Sequence, residues 1–214
     1  MKLLKRFAVL TVAALCLLSP LFERPAAAEH QVIALLYEKT DSDKSADELT
    51  EQVRTTYKNV KKKARVKSFK GKCGRYVGLQ LQALGINAKY VGSNGNRAFD
   101  IYKDKTETTG GYKITAYPAK KYTLQGALEA IAQADPHARN ILVGFEKGTS
   151  KAGKKYGHVM FIHGIENGMV YFSDSYAQTV NGKRYKEGEP IVCSIETFAK
   201  LYKKYKLDGV IHFG

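Results

Sequence analysis

The chain has 214 residues, 44% of them hydrophobic, with no tryptophan and a formal net charge of +15 from 35 basic and 20 acidic side chains. That is length enough for one domain with a real core, and there are neither internal repeats nor low-complexity tracts. Three cysteines without metal-ligand spacing, and no histidine pair at i, i+4, exclude a structural zinc site, and no cofactor is expected.

Residues 1–28 read as a secretion signal. Lys2, Lys5 and Arg6 form a basic start, Phe7 to Leu18 is apolar but short for a permanent span, and Ala26-Ala27-Ala28 precedes Glu29 as a small-residue cleavage pattern. Cys16 follows Leu15 inside the apolar stretch and reads as an ordinary residue of it, not a lipid-attachment site. A retained membrane anchor is the rival reading. Cleavage leaves 186 residues, and loss of four basic residues and one acid takes the net charge to +12. Such a surface either concentrates the protein on polyanions (wall polymers, anionic lipid, nucleic acid) or simply keeps it soluble. The expected location is secreted or in the cell envelope, periplasm or wall, with no permanent membrane span and a monomeric state.

After a short apolar run, Val32 to Leu36, Ser45 stands as an N-cap and Ala46 to Val60 reads as a helix, with Leu49, Val53 and Tyr57 on one face. Residues 29–60 are therefore an extension carrying one helix, and 61–214 the main domain. Lys61 to Lys72 is strongly basic and leads into Cys73. A helix over Gly74 to Leu84 places Tyr76, Val77, Leu81 and Leu84 on one side and stops at Gly85. Residues 92–122 are too rich in Gly, Asn, Thr and Lys for a long helix, with short strands near Tyr112 to Tyr117. Thr123 caps a helix from Leu124 to Ala134 that ends at Asp135-Pro136. Strands follow at Ile141–Phe145, His158–Ile165, Met169–Ser173 and Ile191–Cys193. Ser194 caps a last helix, Ile195 to Tyr205, before a terminal strand, Val210 to Phe213. Helices first and an antiparallel sheet later make an α+β domain.

Two residues carry chemistry. Cys73 sits at a helix start, where unpaired N–H groups and partial positive charge favour a thiolate, and Lys70, Lys72 and Arg75 flank it. His158 opens an apolar strand 85 residues later, and an imidazole beside the thiol can form an ion pair with it and return the proton to a leaving group. This is a nucleophile arrangement for acyl transfer. A Cys73–Cys193 disulfide is the bland alternative, although Cys193 reads as a small buried thiol in an apolar run. The residue that orients the imidazole depends on the hairpin after it. A three-residue loop, Glu166-Asn167-Gly168 with Gly168 left-handed, pairs Ile165 with Met169 and brings Asp174 diagonally beside His158. A two-residue Asn-Gly loop shifts the register by one and brings Ser173 and Ser175 there. His163 falls on the opposite strand face and reads as structural; His30, His137 and His212 lie in no motif.

The sequence Gly71-Lys-Cys-Gly-Arg-Tyr-Val77 with Leu84-Gly85, followed by Gly157-His-Val-Met-Phe-Ile162, Gly168 and Asp174, resembles the CHAP family of peptidoglycan amidases and endopeptidases over residues 70–176. The chain departs from it at Lys72, where the family has Gln able to assist the oxyanion, and at Arg75, where it has Trp. The Asp-Cys-Ser of NlpC-type hydrolases is absent. The resemblance implies a papain-like fold with the nucleophile on a helix N-terminus against an antiparallel sheet, and a Cys73–His158–Asp174 hydrolase acting on peptidoglycan peptides. Two other classes remain open: a non-catalytic basic protein binding wall polymers, glycans or nucleic acid, and a secreted protease or transglutaminase-like enzyme acting on proteins.

Overall fold

The computed structural model describes residues 46–86, 98–108, 111–146, 148–149 and 155–214. The signal segment, its cleavage site, Val32 to Leu36 and His30 lie outside the described residues. Leu49, Val53, Val60 and Ala64 recur at helical spacing and are all buried on one side of helix α1, residues 46–64. It runs four residues past the expected end, because Lys61 to Lys63 are good helix formers and Ala64 is still buried. Arg65 stops it in the left-handed conformation, φ 50°.

Helix α2 (Cys73–Ala83) begins after a tight turn in which the Lys72 N–H donates to Phe69 C=O at 2.7 Å, with Gly71 at φ 74°. A side chain would be strained at that φ, so the glycine sets the angle at which the chain enters the helix. Gly85, also left-handed, ends α2, and the Ile86 N–H returns to Leu81 C=O at 3.0 Å. A short helix, α3 (Ala98–Tyr102), follows, then β1 (Ile114–Pro118) and α4 (Leu124–Ala134), which Thr123 caps through Oγ1 to the Gly126 N–H. The remaining elements are β2 (Arg139–Phe145), β3 (Gly148–Thr149), β4 (Lys155–Tyr156), β5 (Val159–Glu166), β6 (Met169–Phe172), β7 (Gln178–Val180), β8 (Lys183–Tyr185), β9 (Ile191–Ser194), α5 (Ile195–Tyr202) and β10 (Leu207–Phe213).

The fold is α+β. Six strands form one antiparallel sheet in the order β1-β10-β2-β5-β6-β9, with β3–β4 and β7–β8 as separate two-stranded pairs. Val77 and Leu81 of α2, with Phe99 and Tyr102 of α3, pack on Leu142, Phe161 and Ile211 on one face. Leu128 and Ile131 of α4, with Phe198 and Tyr202 of α5, pack on Val143, Ile162 and Phe172 on the other. The central strands are therefore buried on both faces.

The β5–β6 hairpin corrects one expectation and keeps its consequence. Glu166 pairs with Met169 around a two-residue loop in which both Asn167 and Gly168 have positive φ, not the three-residue loop expected. That register alone would turn Asp174 away from His158. A bulge between Ile162 and Gly164, at His163, adds one residue to β5, so that Ile162 faces Phe172. Beyond the bulge the register is the one a three-residue loop would have given.

Candidate active site

His158 immediately precedes β5 and Asp174 lies two residues past β6, so antiparallel pairing brings them to the same end of the sheet. Their side chains meet there: His158 Nε2 is 3.3 Å from Asp174 Oδ1 and 3.4 Å from Oδ2, and both side chains are almost fully buried. Three further side chains and one backbone group hold the carboxylate. The Tyr202 hydroxyl donates to Oδ2 at 2.7 Å, Gln178 Nε2 donates to the same oxygen, and the Ser175 hydroxyl and the Tyr176 N–H donate to Oδ1 at 3.3 and 3.2 Å. All of these donors are neutral.

Cys73, half-buried at the first position of α2, reaches the same place from the opposite face of the sheet. Among the described residues His158 Nδ1 is buried and meets no partner at full hydrogen-bond geometry, while Nε2 is committed to Asp174. Nδ1 is thus the nitrogen available to the thiol. Burial alone would raise the Cys73 pKa, but His158, followed by the backbone N–H groups of Val159 and Gly74, outweighs it and holds the thiol below its ordinary value. The exposed Lys70, Lys72 and Arg75 flank the cysteine, but the leading causes of the shift are the imidazole and the backbone, not the cations the sequence pointed to. Burial pushes His158 down, yet Asp174 and Cys73 carry it up to about 9. Asp174 is likewise raised by burial but more strongly lowered, His158 first, then Tyr202 and Gln178. Thiol, imidazole and carboxylate are therefore each shifted towards their charged forms.

Aromatic rings enclose the imidazole. Tyr202, Tyr205 and Phe145 stack on it at centroid distances of 5.7, 5.2 and 6.3 Å, and Tyr176 meets it nearly edge-on at 5.8 Å. Behind the nucleophile, His163 Nε2 lies 3.0 Å from Gln80 Oε1, a buried link between β5 and α2, and burial keeps His163 neutral with a pKa of about 4. Ser173, the alternative third residue, instead bonds the Tyr76 hydroxyl at 2.5 Å, and Ser175 serves Asp174.

A second carboxylate ties the loops around the site together. Glu187, between β8 and β9, accepts from the Tyr57 hydroxyl, from Ser68 and from the Phe69 N–H at the turn before Cys73. The next residue, Gly188, donates its N–H to Asp174 C=O at 2.9 Å. Cys193 is buried under α5, in the cluster on the other side of the sheet from Cys73; both thiols are free, and burial pushes that of Cys193 up to about 11.

The three residues expected from sequence thus stand together. Tyr202, Gln178, Tyr176 and Glu187 are additional and carried no sequence signal, except that Tyr176 and Gln178 follow Asp174 closely. Among the described residues no three of His, Cys, Asp and Glu are grouped to hold a metal ion, and no helix is long and apolar enough to cross a membrane. Comparison with family models, curated proteins and solved structures gives no match.

Proposed function

We propose that the chain is a secreted, papain-like cysteine hydrolase of the CHAP type that cleaves amide bonds in peptidoglycan. One observation carries the reading: a half-buried thiol with a lowered pKa, at a helix N-terminus, shares its site with an imidazole raised to about 9 by a buried carboxylate. Shifted thiol and imidazole pKa values coupled in this way cluster at functional sites. The Cys73 thiolate adds to the substrate carbonyl carbon, and the oxyanion accepts the Cys73 N–H. His158, held by Asp174, then protonates the leaving amine and, once neutral, activates the water that releases the acyl group.

The substrate class rests on the sequence resemblance, the secretion signal and the charge. Lys62, Lys63, Arg65, Lys67, Lys70 and Lys72 are exposed along the segment that leads to Cys73, which suits an anionic wall. The test is mass spectrometry of purified peptidoglycan fragments incubated with the mature protein and with Cys73→Ala. New termini with the wild type only are expected and identify the bond; the absence of products would transfer the basic segment to a binding role.

A further inference from the structure

An oxyanion needs more than one donor, and the Cys73 N–H supplies the first. Position 72, where the resembling sequences carry Gln, holds an exposed Lys72. A different group occupies the neighbourhood. The Tyr176 hydroxyl lies 3.9 Å from where a Cβ on Gly71, two residues before the nucleophile, would stand. That places the phenol beside the turn that leads into α2, where the Gly71 backbone and the Cys73 charge both act on it. Its position is fixed from two other sides: the Tyr176 N–H is bonded to Asp174 Oδ1 at 3.2 Å, and the ring stands edge-on to His158 at 5.8 Å, 64° between planes. Tyr176 is only half-buried, so a substrate can reach it.

We propose that the Tyr176 hydroxyl is the second oxyanion donor, a catalytic residue that takes the place of the missing Gln. The inference rests on Cys73 acting as the nucleophile. As the thiolate adds to the carbonyl carbon, the π pair moves to oxygen, which accepts the Cys73 N–H and the Tyr176 O–H. On collapse the pair returns and the leaving group departs, an amine taking its proton from His158. The phenol stays protonated throughout, because burial first, and then the Cys73 charge, raise its pKa.

An activated acyl ester and iodoacetamide together test this without reference to the wall substrate. Acylation by the ester passes through an oxyanion; alkylation by iodoacetamide does not. Tyr176→Phe removes one oxygen atom and keeps the ring against His158. Its acylation rate is expected to fall about 10²-fold with KM near wild type, as for loss of one oxyanion donor. Alkylation of Cys73 should keep its wild-type rate and pH dependence. Acylation within threefold of wild type would overturn the assignment, and so would a parallel loss of alkylation, which would make Tyr176 a support for the ion pair. If Cys73→Ala still turned over the ester, the nucleophile reading would fall and the oxyanion assignment with it; an inert Cys73→Ala beside a fully active Tyr176→Phe would remove the latter alone.

Discussion

The two ends of the β5–β6 hairpin each carry a buried carboxylate beside a histidine, and the two pairs are built differently. At the turn end, Glu166 is bonded to His137 Nδ1 at 2.5 Å and to Arg139 at 2.9 Å. His137 is 65% exposed there, and the guanidinium supplies a permanent counter-charge. At the open end, Asp174 receives, among the described residues, only neutral donors besides His158, whose side chain is 1% exposed. The lone negative charge in a low-dielectric setting must then be balanced by the imidazole, which is what raises His158 and in turn lowers Cys73. A carboxylate–histidine pair is not a catalytic device by itself; what sets the open end apart is the buried imidazole, the neutral donors around Asp174 and the thiol on the far side.

The largest effect should come from breaking the open end. Cys73→Ala and His158→Ala are each expected to take hydrolysis to background without loss of fold, and the double variant to be no worse, since both act on one covalent step. Circular dichroism and turnover of wall fragments check this; a large additive loss would mean separate roles. Asp174→Asn should lose less, by roughly a hundredfold. Without the anion the raised His158 pKa drops towards its ordinary 6.5. For the wild type, hydrolysis should fall as pH rises through about 9, where the imidazolium loses its proton, and Asp174→Asn should move that alkaline limb down. An unmoved limb would detach Asp174 from His158.

At the turn end the contrast reverses. Glu166→Gln should leave kcat and the pH profile at wild-type values while costing about 1–3 kcal/mol of stability in urea unfolding, because Arg139, 32% exposed, is partly solvated in compensation. A fallen kcat there would erase the distinction between the ends. The smallest effect on chemistry is expected from salt: binding to whole walls should weaken steeply as exposed charges are screened within about 10 Å at 0.1 M, with turnover of a short neutral peptide nearly unchanged.

Much of the molecule was legible in the chain because local signals sufficed. Thr123 and Ser194 cap the helices they were expected to cap, and Gly85 ends α2. The losses have tertiary causes. Helix α3 is held by Phe99, whose ring lies where a Cβ on Gly209 would stand, 2.4 Å away, a contact between segments about 110 residues apart in sequence. The last helix stops at Tyr202, three residues before the expected end, and β10 starts at Leu207, not Val210. The β7–β8 pair has a local signal in Asn181-Gly182, whose positive φ angles make the tight turn. Asp174 stands beside His158 although the loop is one residue shorter than expected; the bulge at His163 supplies the missing residue, and Gly164 inside the strand is the sequence signal for it. Tyr202 and Glu187 were invisible for the same reason as α3: each reaches the site from a distant segment.

The ion pair between Cys73 and His158 is the central claim, and the pH dependence of iodoacetamide labelling, read at Cys73 by peptide mapping, tests it most directly. The rate at Cys73 should reach its plateau well below the ordinary thiol range of about 8.5 and lose that advantage in His158→Ala, with Cys193 labelled only after unfolding. A Cys73 that titrates like a free thiol in the folded protein, or one found bridged to Cys193 in active, non-reduced material, would contradict it.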